Sequence, residues 1–281
     1  MKRLLVSVLL GALVLSLGQA GQKLRYKFEQ GKTYRYEIHA NNSVTGQAQG
    51  QDFTADSKTK LVIGLVLDKT LPDGSVELIG SFESFQSTLN IPMMGMRDTT
   101  IDFADLAGKR VRITMTPRGK TTAIATIDTM PRNMLLSMSG GQPADLFRRV
   151  MPELPEQEIA EKGTWTQAQP ETTKTSGMTV VSKPNVTFTV AGSEAHNEHA
   201  CWKITFTGTV TTEGSGTMRG VDVTTDGSVK TAGTIFLAPK EGILVDYQST
   251  YDADQTQTFS GAQTGSQSMQ MKITSSSTLL K

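Results

Sequence analysis

Cysteine is almost missing from this chain. Cys201 is the only one in 281 residues, so no disulfide can form within it, and stability must come from burial and sheet pairing. Nor does Cys201 suit a bacterial lipid anchor, which needs its cysteine beside a signal cleavage site. Charge of one sign is missing too. The 28 Lys and Arg face 27 Asp and Glu, and no basic stripe interleaved with aromatics occurs. Long-range attraction to nucleic acid or an anionic membrane is excluded on that ground. There is no Gly-x-Ser-x-Gly nucleophile elbow. Gly214-Ser215-Gly216 is not followed by the Gly-Lys-Ser/Thr of a phosphate loop.

Long apolar runs are limited to one, Leu4 to Leu17. A bilayer-spanning helix needs roughly 20 apolar residues, so no transmembrane helix is expected in the mature chain. Lys2 and Arg3 precede the run and Gly18-Gln19-Ala20 follows it. That order of charge, apolar stretch and small-x-small site predicts a signal peptide over 1–20. The expected mature protein, 21–281, begins at Gly21 and is exported to the periplasm or the cell exterior. Its length suits a single β-rich domain.

What the chain does have is period-2 alternation. Trp202, Ile204, Phe206, Gly208 and Val210 fall on one side of a strand, and Lys203, Thr205, Thr207 and Thr209 on the other. Val111, Ile113 and Met115 alternate in the same way, as do Val186, Phe188 and Val190, and Met269, Met271 and Ile273. Half-buried strands with a threonine-rich outer face follow. Proline-to-glycine reversals at Leu71–Gly74, Thr116–Gly119 and Ala238–Gly242 predict antiparallel hairpins. Residues 168–183 and 255–268 are rich in Thr, Ser, Gln and Gly, and fit either loops or polar strands. The expected fold is mainly β, a curved antiparallel sheet or incomplete barrel with a short helical insert near residues 128–160. Within the insert, Asp128 or Thr129 would cap a helix carrying Met130, Met134, Leu135 and Met138. A second helix would run from Pro143 to Met151, with Leu146, Phe147, Val150 and Met151 on its apolar face.

The densest polar cluster is Glu194–Cys201. His196, His199 and Cys201 are weak candidates for a metal site, because zinc-type sites want four ligands and no second half is present. The alternative is a polar hairpin loop, with Cys201 on the Lys203 side, away from the apolar face. A thiol dyad with either histidine is disfavoured by the short spacing. His39 has no obvious partner. No catalytic constellation is visible and no cofactor is implied. Methionine is flexible and adapts to varied apolar partners. Met93, Met94, Met96, Met134, Met138 and Phe147 are therefore candidates for a hydrophobic ligand groove, against the plainer reading that they fill a core.

Three segments, KLRYKFEQGKTYRY at 23–36, GKRVRITMTPRGKT at 108–121 and MPELPEQEIAEKGTW at 151–165, resemble a bacterial group of exported β-rich proteins of similar length. GTIFLAPKEGILVDY at 233–247 fits the same group. The resemblance brings no catalytic residues. It implies a shape similar to lipoprotein-carrier half-barrels, with helices across a concave sheet. The expected role is non-catalytic binding of a hydrophobic ligand, such as a lipid or a lipoprotein acyl chain. The alternative is an envelope-associated structural module that recognises a protein or glycan. An enzyme stands third.

Overall fold

The computed structural model describes residues 21–48, 50–131, 143–175, 177–218, 220–261 and 264–281. They form one antiparallel sheet that is not closed into a barrel. Its strands are β1 (Thr33–Ala48), β2 (Gln51–Thr70), β3 (Val76–Ile91), β4 (Met96–Asp102), β5 (Arg110–Met115), β6 (Thr121–Thr126), β7 (Thr164–Gln167), β8 (Glu171–Thr175), β9 (Met178–His196), β10 (His199–Met218), β11 (Val221–Ala238), β12 (Ile243–Gly261) and β13 (Gly265–Leu279). The order is β6-β5-β3-β2-β1-β13-β12-β11-β10-β9-β7, with β4 also on β3 and β8 also on β9. Two meanders thus run outward from the centre, where Tyr36 lies opposite Leu279 and Val44 opposite Met271.

All three expected proline-to-glycine reversals form hairpin turns, between β2 and β3, β5 and β6, and β11 and β12. The polar stretches at 168–183 and 255–268 are largely strand. Threonine's branched Cβ suits extended backbone, and the neighbouring strands supply the pairing.

Both wings contribute to a single core. Phe82, Val111 and Ile113 come from one side and Trp165, Phe188 and Ile204 from the other. The sheet must curl for these to meet. Two irregular segments hold the curl at one end. Gln22 pairs with Ile159, Tyr26 N donates to Pro117 O at 2.7 Å, Lys27 N donates to Gly242 O at 2.9 Å, and Leu154 N donates to Arg118 O at 2.8 Å. The β5–β6 and β11–β12 turns, on opposite wings, are thereby joined. Lys120 Nζ beside β6 reaches Glu171 Oε1 on β8 at 3.1 Å, bridging the two margins without strand pairing.

The insert carries little helix. A 3-10 helix covers Pro143–Arg149, where a helix to Met151 was expected. Three prolines within 13 residues (143, 152 and 155) allow only a short turn of helix before extended backbone resumes. Asp128 caps no helix among the described residues, since its carboxylate accepts from Arg110 N at 2.9 Å and Arg110 Nε at 3.0 Å. The rest of that expected helix, with Met134 and Met138, lies outside the described residues. Irregular backbone at 21–30 and 152–159, together with the short 3-10 helix Pro143–Arg149, supports the covered end of the sheet.

Above this end the strands continue. The far halves of β2, β1, β13, β12, β11, β10 and β9 extend past the core, and their contacts are chiefly with the neighbouring strands of the sheet. No described helix is long and apolar enough to cross a membrane.

Candidate functional site on the inner face of the sheet

Alternation makes the extended half of the sheet two-faced. On the inner side, the one continuous with the core, stand Val44 of β1, Phe53 and Ala55 of β2, Ile273, Met271 and Met269 of β13, Ala253 and Phe259 of β12, Val229 of β11, Val210 of β10 and Val180 of β9, interspersed with Asn42, Ser57, Thr212, Gln255 and Gln267. All are half-buried. The opposite side carries Ser43, Thr45, Lys272, Gln270, Asp252, Asp254, Lys230, Thr209 and Glu213, all exposed. The inner side is thus the more apolar of the two, and on it Gln255 Nε2 donates to the buried Thr225 Oγ1 at 2.8 Å.

Where the core gives way to this surface, β11, β12 and β13 place a block of hydroxyls on the inner side. The register aligns Ile235, Tyr247 and Ser277 in one row, Gly233, Ser249 and Ser275 in the next, and Thr231, Tyr251 and Ile273 in the third. Tyr247 and Tyr251 share a hydrogen bond of 2.8 Å between their hydroxyls. Both flank Ser249, which shares one of 2.8 Å with Ser275. The Phe206 ring stacks beside Tyr247 with centroids 6.0 Å apart. A Cβ on Gly233 would lie 2.5 Å from Phe206 Cζ, so only glycine admits that ring. Burial, and then the adjoining Tyr251, push the Tyr247 hydroxyl well above the usual tyrosine range, so it stays a neutral donor.

Two members of this block are unpartnered. Thr231 Oγ1 and Ser277 Oγ are the only buried side-chain polar atoms among the described residues without a hydrogen bond. Such a group costs about 1–3 kcal/mol. Thr231 stands opposite Tyr251 and Ser277 opposite Tyr247.

The outer face has hollows of another character. One of about 500 Å³ lies behind the same block and is lined by His39, Asn41, Gln248, Thr250, Thr274 and Ser276, among others. A second, of about 350 Å³, shares Asn41 and Thr274 with it and adds Asp56, Lys58, Asn90, Asp98 and Lys272. His39 has a partner after all. Its Nε2 lies 2.7 Å from Glu37 Oε1, two residues along the same face, and Lys60 binds the other oxygen at 2.8 Å. The Lys60 hydrogen bond, and then that of His39, hold the Glu37 carboxyl below its ordinary value.

The expected groove residues are dispersed. Met93 and Met94 are exposed on the 3-10 turn Pro92–Met94, and Met96 is half-buried at the start of β4. Phe147 is in the core, edge-on to Phe82 with centroids 4.9 Å apart. None of these lines either outer hollow.

His196, His199 and Cys201 are strand residues, not loop residues. Only Asn197 and Glu198 turn the chain, with φ of 47° and 70°, the conformation of a tight two-residue hairpin. Cys201 does face the Lys203 side, but that side is apolar here. Cys201 packs with Phe236, Ala238 and Val245 in a small second core. The reason is a β-bulge: Phe236 pairs with Asp246 and Leu237 with Leu244, leaving Val245 as the extra residue. A bulge redirects side chains locally. His196 stacks on Phe236 with centroids 3.8 Å apart, and its Nε2 donates to Asp246 Oδ2 at 3.1 Å. His199 pairs instead with Glu241 at 2.9 Å. Among the described residues no three His, Cys, Asp or Glu side chains gather as a ligand set. Burial, then Glu241 and Glu194, push the Cys201 thiol up to about 11, so it is no nucleophile near neutral pH.

No protein-family profile matches this chain, and no curated protein is similar to it.

Proposed function

We propose that this protein is an exported, non-catalytic binder of a hydrophobic ligand, and that it holds a lipid or a lipoprotein acyl chain against the inner face of its sheet. The observation that supports this reading is that the inner face of the extended strands is the more apolar of the two. Met269, Met271 and Ile273 continue the core face of β13, while Gln270, Lys272 and Thr274 point the other way. Burying apolar surface contributes roughly 25 cal/mol per Å², so an acyl chain laid along this face has a sufficient driving force. The charged run and apolar stretch before Gly21 support export.

The test is native mass spectrometry of mature protein purified without detergent, with organic extraction of whatever is bound. A co-purifying lipid that is lost in Met271→Lys supports the reading. A protein that carries no lipid and takes up none when offered overturns it. The two hollows on the outer face favour a second reading, an envelope interaction module that grips a glycan or protein through Asn41, Thr250 and Thr274. That reading predicts partner loss in Asn41→Ala and none in Met271→Lys.

A further inference from the structure

We infer that the hydroxyl block on β11–β13 receives the uncharged, hydrogen-bonding head of an amphiphile, an acyl ester, whose chain then runs along β13. The inference rests on the inner-face reading above and names the class of ligand. Its first ground is the placement of the unpartnered hydroxyls. Of all the buried side-chain polar atoms described, only Thr231 Oγ1 and Ser277 Oγ lack partners, and both border the Tyr247–Tyr251 pair. Elsewhere the same face uses Val229 and Ala253 at equivalent positions, so a hydroxyl is no requirement of the strand.

The second ground is charge. Within the block every polar side chain is a hydroxyl. The charged residues of these strands nearest the block, Lys230, Asp246, Asp252 and Lys272, alternate onto the opposite face. A carboxylate or phosphate would be desolvated there with no counter-ion, which is costly. An ester carbonyl accepts from hydroxyls and needs none. The Tyr247 hydroxyl remains a protonated donor, since burial raises it. The third ground is continuity. Ile273 belongs to the block, and Met271 and Met269 follow it on the same face. From Ser275 to Met269 the strand rises about 20 Å at roughly 3.3 Å per residue, a length that suits an acyl chain.

The experiment measures binding of three probes to the mature chain: 1-monolauroylglycerol, laurate and dodecane. The ester is expected to bind at least tenfold more tightly than either of the others. In the double variant Thr231→Val/Ser277→Ala that preference disappears while dodecane affinity holds. Removing two unpartnered hydroxyls leaves the urea midpoint at or above that of the parent. If the double variant does not fold, Tyr247→Phe serves instead and is expected to weaken the ester alone. Equal binding of the three probes, tighter binding of laurate, or a preference that survives the substitutions overturns the ester assignment and leaves the hydrophobic-ligand reading standing. Binding of none of the probes overturns both.

Discussion

Replacing Gly80 with alanine tests how the insert is seated on the sheet. Gly80 lies on β3 opposite Leu65 and Val111, with the Phe147 ring directly above it. A Cβ built there would lie 2.6 Å from Phe147 Cε1, 2.9 Å from Cδ1 and 3.0 Å from Ile113 Cδ1. Ordinary contact begins at 3.4 Å, so the ring must retreat by most of an ångström. Phe82 meets that ring edge-on at 4.9 Å. Overpacking of this kind costs about 1–3 kcal/mol, and disturbing the aromatic pair adds about 0.5–1.5 kcal/mol. The lower entropy of an unfolded alanine returns about 0.4–1 kcal/mol. The net expectation is a loss of about 0.5–4 kcal/mol, read from the urea midpoint at unchanged slope. Phe147→Leu shortens the side chain and relieves the overlap. The double variant should therefore lose less than the two single losses together, by about 1 kcal/mol, within the range of contacting residues. An alanine variant as stable as the parent, or two losses that simply add, would refute the seating of Phe147 on Gly80.

Cys201 is 1 % exposed with its thiol pushed up to about 11, so Ellman's reagent should leave the folded protein unlabelled at pH 8; rapid labelling without unfolding would remove the thiol from the Phe236 cluster. Since that thiol keeps its proton above the ordinary value of 9.0 while the unfolded chain loses it, stability should fall as pH rises from about 9, and fall less steeply in Cys201→Ala. Asp246 accepts from His196, Gln248 and Thr278, so Asp246→Ala should cost about 1–3 kcal/mol and Asp246→Asn less; equal costs in urea titrations would argue against the network. Glu37 is held below its ordinary 4.5, so its contribution is complete above that pH and is lost as pH falls through the lowered value; acid titration of Glu37→Gln should show a flatter limb, and an unchanged limb would discount the Lys60 pair.

Much of the fold was legible because strand burial has a period of two. Val111, Ile113 and Met115, like Val186, Phe188 and Val190, face the core as their alternation requires. The proline-to-glycine turns were legible because those residues fix the backbone angles of a reversal. The pairing of β1 with β13, which closes the two meanders into one sheet, links segments more than 200 residues apart, and no local pattern encodes it. The outer cluster was hidden by the bulge at Val245, which breaks strict alternation and brings Asp246 to His196. The hydroxyl block was hidden because serine and threonine in a strand read as solvent-facing. The signal that could have found it is Tyr247-x-Ser249-x-Tyr251, three residues of one parity in phase with buried Ile235. For Phe147, the apolar spacing foretold burial, but only the sheet's curl shows that its place is over Gly80.

The central claim, that the inner face of the extended strands is the ligand surface, is tested most directly by nuclear magnetic resonance of methyl-labelled methionines during titration with 1-monolauroylglycerol. The account predicts that Met269 and Met271 shift progressively while Met93 and Met94, exposed on the Pro92–Met94 turn, stay in place. Shifts confined to Met93 and Met94, or none at saturating ligand, would contradict it.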